Sequence, residues 1–320
     1  MSGADSSVAA GMPEVVVIGS VFLDSKQYVR TDDPAAPPDR VYRCHGGVGR
    51  NIAENLGTLG VPVALLALSD GDPADRDIRE RLERAHVRWY ARSVDRGIGR
   101  FSVTLDAEGA MISSSARLPA LEHLDPAFVA TCGCPFDRAK CLIVEAGMSR
   151  SLLDFLIREM HDRRIPIVGV MTGGAFTEDR SDLLARLHGL TLNRPEAARL
   201  LQQPIETMDD AAVAVERLRR LGIANVGLTL GAAGVLIAAE GERTAFHPAP
   251  AVTSLDATGA GDAFTAGLVS VMIRTGSFSK GAALGMTLAA AVVRTLDNTI
   301  GEAAGARVTD AKRVSGDSLS

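Results

Sequence analysis

A chain of 320 residues with 46% hydrophobic and 23% charged side chains has the composition of a soluble globular protein, with room for one large α/β domain and a small appendage or for two modest domains. Its 34 Lys and Arg against 39 Asp and Glu leave a net charge of −5, which argues against nucleic acid as a partner: no basic excess exists to neutralise a phosphate backbone, although local amides can still hold a small anion. Cysteines at 44, 132, 134 and 141 are irregularly spaced, and Cys132-Gly-Cys134 has no second pair or His cluster near it, so reduced, mostly buried thiols and a cytoplasmic location are expected rather than zinc or a disulfide framework.

Residues 1–13 are small and polar, lack the basic and apolar regions of a signal peptide, and read as a disordered tail. A single domain is expected over 14–305, with a polar tail at 306–320. Glu14 to Gly19 is a continuous apolar run ending in Gly, the pattern of a strand buried on both faces. The stretch from Ser25 to Cys44 is polar and proline-rich with short β-prone pieces, and reads as an excursion from the main sheet. Ile52, Leu56 and Leu59 recur at helical spacing until Gly60 stops the helix. A strand over 61–68, a helix over 75–85 and a hairpin over 99–105 and 110–114 follow.

Alternation then resumes, with strands at 141–144, 166–170, 189–192, 225–230 and 235–239. Helices are predicted at 151–163, 182–187, 195–201, 209–221, 262–274 and 280–296. The most apolar late stretch, 282–293, is too short to span a bilayer, so no membrane partner is expected. Repeated βα units predict an α/β fold: a doubly wound, mostly parallel sheet with helices on both faces, binding ligands at the carboxyl ends of its strands. The β-rich segments at about 22–45 and 97–115 are expected to pair as a small β-sheet lid over that end.

Four loops carry chemistry. In Asp256-Ala-Thr-Gly-Ala-Gly-Asp262, small residues allow close backbone approach and the loop feeds directly into a helix, whose first N–H groups attract anions. An Asp at a helix start is often only a cap, but a cap does not need two glycines and an alanine before it. The run suits phosphoryl transfer: amides of Gly259, Ala260 and Gly261 facing the moving charge, and Asp262 accepting the proton of an attacking hydroxyl. His45-Gly-Gly-Val-Gly-Arg-Asn51 pairs glycines that admit a ligand with an Asn whose amide both donates and accepts. Asn193-Arg-Pro-Glu196 at a helix start has an ordinary capping box as its plain alternative, and Thr229-Leu-Gly-Ala-Ala-Gly234 a simple hairpin. Neither G-x-G-x-x-G nor a Walker-type G-x-x-x-x-G-K-[ST] is present.

In this order the four loops resemble the ribokinase-like PfkB carbohydrate kinase family, over roughly residues 14–300. The resemblance implies a kinase that uses ATP and Mg²⁺ to phosphorylate a primary alcohol of a sugar or nucleoside. It makes Asp262 the base, Gly259 to Gly261 the anion hole, and Asp24, Gly46, Gly47 and Asn51 the contacts to the acceptor. It assigns Asn193, Thr229, Gly231, Gly234, Thr258 and Asn298 to the nucleotide, Asn298 near the adenine, and Glu196 to Mg²⁺ through water. Ala257 stands where the family often has Thr, which leaves a monovalent cation such as K⁺ open. Lid sheets in the family can pair between subunits, so a homodimer through the lid is implied. Gly46 to Gly60 and the strand-then-turn Val144 to Met148 are most similar to pseudouridine kinases, which implies transfer to the 5′-hydroxyl of a ribosyl nucleoside. Another nucleoside, a free sugar such as ribose, or a non-catalytic regulator that kept the pocket are the alternatives.

Overall fold

The computed structural model describes residues 12–29, 40–71, 73–106, 111–172 and 181–301, so most of both tails lies outside the described residues. Among the described residues thirteen strands form two sheets. The large one contains β1 (Val15–Ile18), β4 (Val63–Ser69), β5 (Val87–Ser93), β8 (Cys141–Glu145), β9 (Ile167–Val170), β10 (Gly189–Asn193), β11 (Val226–Thr229), β12 (Gly234–Ala238) and β13 (Ala245–Pro248). Their order is β13-β12-β11-β10-β9-β8-β1-β4-β5, and all neighbours are parallel except β11 with β12 and β12 with β13.

The apolar runs become the central strands because both of their faces are covered. Val16 and Ile18 of β1 pack into one core with α3 (Pro126–Thr131), α4 (Arg150–Arg163), α5 (Ser181–Leu184), α6 (Arg194–Leu201) and α7 (Met208–Arg220). Val15 and Val17 enter the other core, with α1 (Val48–Thr58), α2 (Pro73–Arg84), α8 (Ala260–Thr275) and α9 (Ala282–Val292). Alternate residues of one strand thus feed opposite layers.

Two edge strands escaped the sequence reading. Val87–Ser93 buries only Val87 and Trp89, and its Arg88 and Arg92 break the apolar run that marks the central strands. Ala245–Pro248 is short and mostly exposed. The last helix stops at Val292 rather than 296, and α8 begins at Ala260 rather than 262.

The smaller sheet has the order β3-β2-β6-β7, from β2 (Phe22–Tyr28), β3 (Arg40–Gly46), β6 (Gly99–Leu105) and β7 (Met111–Arg117). β2 runs antiparallel to β3 and parallel to β6, which puts Asp24 opposite Phe101. In the large sheet the chain leaves β1 for β4 on one side and returns as β8 on the other. That reversal opens a crevice at the carboxyl ends of β1 and β8, where doubly wound sheets bind their ligands.

Candidate active site

A cavity of about 630 Å³ fills this crevice, with Asp24, Asn51, Glu145, Glu196 and Asp262 on its walls. Asn51 and Asp262 meet there. Asn51 Nδ2 donates to Asp262 Oδ2 at 2.7 Å. Helix α1 delivers Asn51 from an N-cap at Gly47 with φ of 96°, and α8 delivers Asp262 from an N-cap at Gly259 with φ of 82°. Asp262 is therefore the third residue of its helix, not the junction residue expected from the loop. Burial pushes its carboxyl up to about 7; the Asn51 hydrogen bond and the Arg50 charge oppose the rise, and the carboxylates of Glu145 and Glu196 add to it.

The amide of Asn51 is oriented from behind. Arg50, with none of its surface exposed, donates from Nη2 to Asn51 Oδ1 and to His45 O, from Nε to Gly46 O, and from Nη1 to Glu54 Oε2. Burial alone would raise Glu54, but the charges of Arg50 and Arg81 and hydrogen bonds from Arg81 and Thr299 hold it at about 2. This buried ion-paired cluster leaves Asn51 one orientation, with its NH₂ toward Asp262.

Asp24 lies at the lid end of the cavity. Its Oδ2 accepts from Asn298 Nδ2 at 2.7 Å, and burial pushes its carboxyl up against the pull of Asn298, Arg50 and Lys26. Gly46 faces it so closely that a Cβ there would lie 2.2 Å from Asp24 Oδ2, so a side chain at 46 would displace the carboxylate. Asn298 is fully buried beneath Asp24 and does not border the second cavity described below. Its side chain is engaged by Asp24 and Lys26, at the lid end of the cleft.

In the loop expected to hold the anion, one amide is already engaged. Ala260 N donates to Ala257 O at 3.3 Å, while Gly261 lies where an added Cβ would meet nothing within 4 Å. Thr258 is exposed but tied down: its N and Oγ1 donate to Asp256 Oδ1 at 2.8 and 2.7 Å. Asn193 and Glu196 form a complete capping box at the start of α6, the plain alternative, and also border the main cavity.

A second cavity of about 430 Å³ shares Thr229, Ala257, Gly261 and Phe264 with the first. Gly231 and Gly234 border it, and Val252, Met286, Ala289 and Val293 make it an apolar slot. It opens beside Ala260 and Gly261, at the start of α8. Among the described residues no cluster of three His, Cys, Asp or Glu can hold a metal unaided, so Mg²⁺ would arrive with the phosphates and Glu196 is the nearby carboxylate able to hold it through water. The thiols take no part in the site: burial pushes Cys44 to about 11 and both Cys134 and Cys141 to about 12.

Glu145 is a buried residue of the cavity wall that the sequence reading did not single out. At the end of β8 its Oε1 accepts from Ser20 N at 2.5 Å, Ser20 Oγ at 2.7 Å and Gly49 N at 3.0 Å, joining both sides of the crevice to the Gly-rich turn. Burial pushes its carboxyl up. Its signal was available: a lone charge closing a buried apolar strand. Phe22, Phe101, Leu118, Pro119, Leu121 and Met171, which give the cavity its apolar wall, carried no such signal.

The family model for pfkB family carbohydrate kinases matches residues 12–302. Guanosine-inosine kinase of Exiguobacterium acetylicum is 26% identical over 292 residues, covering 90% of this chain and 96% of that protein. Pseudouridine kinase of Escherichia coli K12 is 25% identical over 264 residues, 81% of this chain and 83% of that one. Among solved structures, Arabidopsis thaliana ribokinase complexed with ribose and ATP superposes with a TM-score of 0.80 at 22% identity, covering 93% of this chain and 99% of its own. That likeness establishes a ribokinase-like fold.

Proposed function

The chain belongs to the pfkB family of carbohydrate kinases, and from that premise we propose that it transfers the γ-phosphate of ATP to the 5′-hydroxyl of a ribosyl nucleoside, with pseudouridine as the preferred acceptor. The observation that carries this reading is Asp262: a buried carboxyl raised to about 7, held by Asn51 inside a cavity that is polar at one end and apolar at the other. A base with that proton affinity is half ionised near neutral pH and takes a hydroxyl proton effectively. MgATP supplies the phosphoryl group and the metal charge that offsets it.

The chain's own residues do the rest. Asp24 and Asn51 hold the ribose hydroxyls and aim the 5′-oxygen. Asp262 accepts the proton of that hydroxyl as the new O–P bond forms and the bond from phosphorus to the β,γ-bridging oxygen breaks, releasing ADP. The amides of Gly259 and Gly261, at the start of α8, face the transferring charge. Asn193, Thr229, Gly231 and Gly234 line the nucleotide side.

A nucleoside is favoured over a bare sugar because ribose leaves the apolar wall of Phe22, Phe101, Leu118 and Met171 uncovered, whereas a base covers it. Pseudouridine is supported by the Gly46 to Gly60 stretch and by the relative at 25% identity. A purine riboside is the second reading, supported by the relative named for guanosine and inosine, which the alignment spans over 96% of its length. The test is kcat/KM with MgATP for pseudouridine, uridine, guanosine, inosine and ribose. Pseudouridine above all others is the expected order. Guanosine or inosine first would select the second reading, and ribose first would overturn the nucleoside assignment.

Among the described residues no helix is long and apolar enough to cross a membrane. A cytoplasmic location is proposed alongside the function. A homodimer through the lid is proposed because Val41 and Tyr42 lie 44% and 41% exposed on β3, an edge strand of the small sheet; sedimentation of the wild type against Tyr42→Glu tests it.

A further inference from the structure

Lys26 is a lysine in an unusual place. It belongs to lid strand β2, yet it is only 4% exposed, and its ammonium points away from the lid into the main domain. There it is ion-paired with Asp256 Oδ2 and donates to Leu296 O at 3.0 Å and Asn298 Oδ1 at 3.3 Å. One positive charge is thus ringed by a carboxylate oxygen, a peptide carbonyl and an amide carbonyl, drawn from two segments some forty positions apart.

Both segments shape the anion loop. The other oxygen of Asp256, Oδ1, takes the N and Oγ1 of Thr258 and so folds the turn that leads into Gly259. The carbonyl of Asn298 lies 2.2 Å from where a Cβ on Gly259 would stand, and its Nδ2 holds Asp24. Without a cation between them, three oxygens would face one another in a half-buried space, a costly arrangement.

Oxygen donors gathered around a single positive charge are what a monovalent metal ion binds. The resemblance leaves such an ion open near this loop, but the residues present do not fit one: the free oxygen of Asp256 is already taken by an ammonium. We infer that Lys26 is a built-in monovalent cation, a positioning residue whose ammonium takes the place of a K⁺ ion in ordering the Gly259–Gly261 loop. The loop is then independent of dissolved cations and tied to the lid through β2. The inference rests on the phosphoryl-transfer reading for its activity arm alone.

Wild type, Lys26→Ala and Lys26→Met are compared in KCl, NH₄Cl and tetramethylammonium chloride at equal ionic strength. Wild-type turnover is expected to be the same in all three salts. Lys26→Ala, which opens a cavity, is expected to lose about 10²-fold in kcat in tetramethylammonium and to regain much of it in K⁺ or NH₄⁺. Lys26→Met, which fills the space without charge, is expected to stay low in every salt. Thermal unfolding gives a readout without turnover: K⁺ or NH₄⁺ should raise the Tm of Lys26→Ala and leave that of wild type unchanged.

Wild-type activity or Tm that rises strongly with K⁺ would overturn the inference, and so would a Lys26→Ala variant as active as wild type or one that no cation restores in either readout. The wild-type arm stands even where a variant fails to fold. No turnover with any acceptor would instead count against the kinase reading, leaving the unfolding arm to decide the role of Lys26.

Discussion

Asn51 donates its side-chain N–H to Asp262 at 2.7 Å across 211 positions of sequence, and this bond joins the two Gly-rich loops into one site. Neither partner is free to turn. Arg50 holds the oxygen of the Asn51 amide, and helix α8 holds Asp262 from below. The proposed base and the proposed acceptor-binding residue are therefore one unit, and changes to either should be read on both.

Asp262→Asn should abolish transfer and leave binding intact. The carboxylate acts on the proton in the transition state, and general-base help is worth ~10²–10⁴-fold. ATP and acceptor affinities by calorimetry should stay close to wild type while kcat collapses. Turnover within about threefold of wild type would remove Asp262 from the base role.

The pH profile of kcat should fall on the acid side with an apparent pKa near the value of about 7 set by burial, because protonated Asp262 cannot accept a proton. The stability sign is opposite. A carboxyl whose folded pKa is raised binds its proton more tightly in the folded state, so its stabilising effect is complete below pH 3.8 and is lost as pH rises through about 7. Asp262→Asn should hence be more stable than wild type at pH 8, by a few kcal/mol at most, with the gap closing toward pH 4 in denaturant titrations.

Asn51→Ala should raise KM for the acceptor far more than KM for ATP, since losing a buried partner to a hydroxyl costs about 1–3 kcal/mol. It should also move the acid limb to higher pH, because the hydrogen bond it removes favours ionised Asp262. Equal effects on both substrates would separate this loop from the acceptor.

Much of this architecture was legible in the sequence, for local reasons. Buried strands such as Val15–Ile18 and Val63–Ser69 are unbroken apolar runs, and the phosphate and acceptor loops are contiguous motifs whose glycines serve positive φ at Gly47 and Gly259. The remainder depends on pairings with no local signature. Lys26 meets Asp256 over 230 positions, and Glu145 meets Ser20 over 125. Arg50, a charge in a Gly-rich turn, is fully buried because Glu54 and three carbonyl oxygens satisfy it, and nothing local announces that. Asn298, assigned to the nucleotide by family likeness, bonds Asp24 over 274 positions, a contact with no local signature either.

Gly46→Ala should weaken the acceptor without touching ATP. The new methyl would stand 2.2 Å from Asp24 Oδ2, so the carboxylate must swing away from its bond to Asn298. KM for the acceptor should rise with kcat for bound acceptor less affected. An unchanged acceptor KM would mean that Asp24 does not hold the ribose.

The lid should read the base through Phe101. Strands β2 and β6 are parallel with Asp24 opposite Phe101, so a residue proposed to hold the ribose and an aromatic ring stand side by side over one cavity. Phe22 is a poorer candidate for stacking, because its ring packs where a side chain on Gly99 would otherwise go, 2.4 Å from that position. Base–aromatic stacking is worth about 1–3 kcal/mol by alanine substitution, so Phe101→Ala should lower kcat/KM for a nucleoside by roughly five- to a hundredfold. In the proposed arrangement ribose leaves the apolar wall uncovered, so its kcat/KM should stay within about twofold of wild type. The ratio of the two substrates isolates the base from the sugar, since damage to the lid as a whole would depress both. Equal losses for ribose and nucleoside would show that Phe101 supports the lid and does not contact the base.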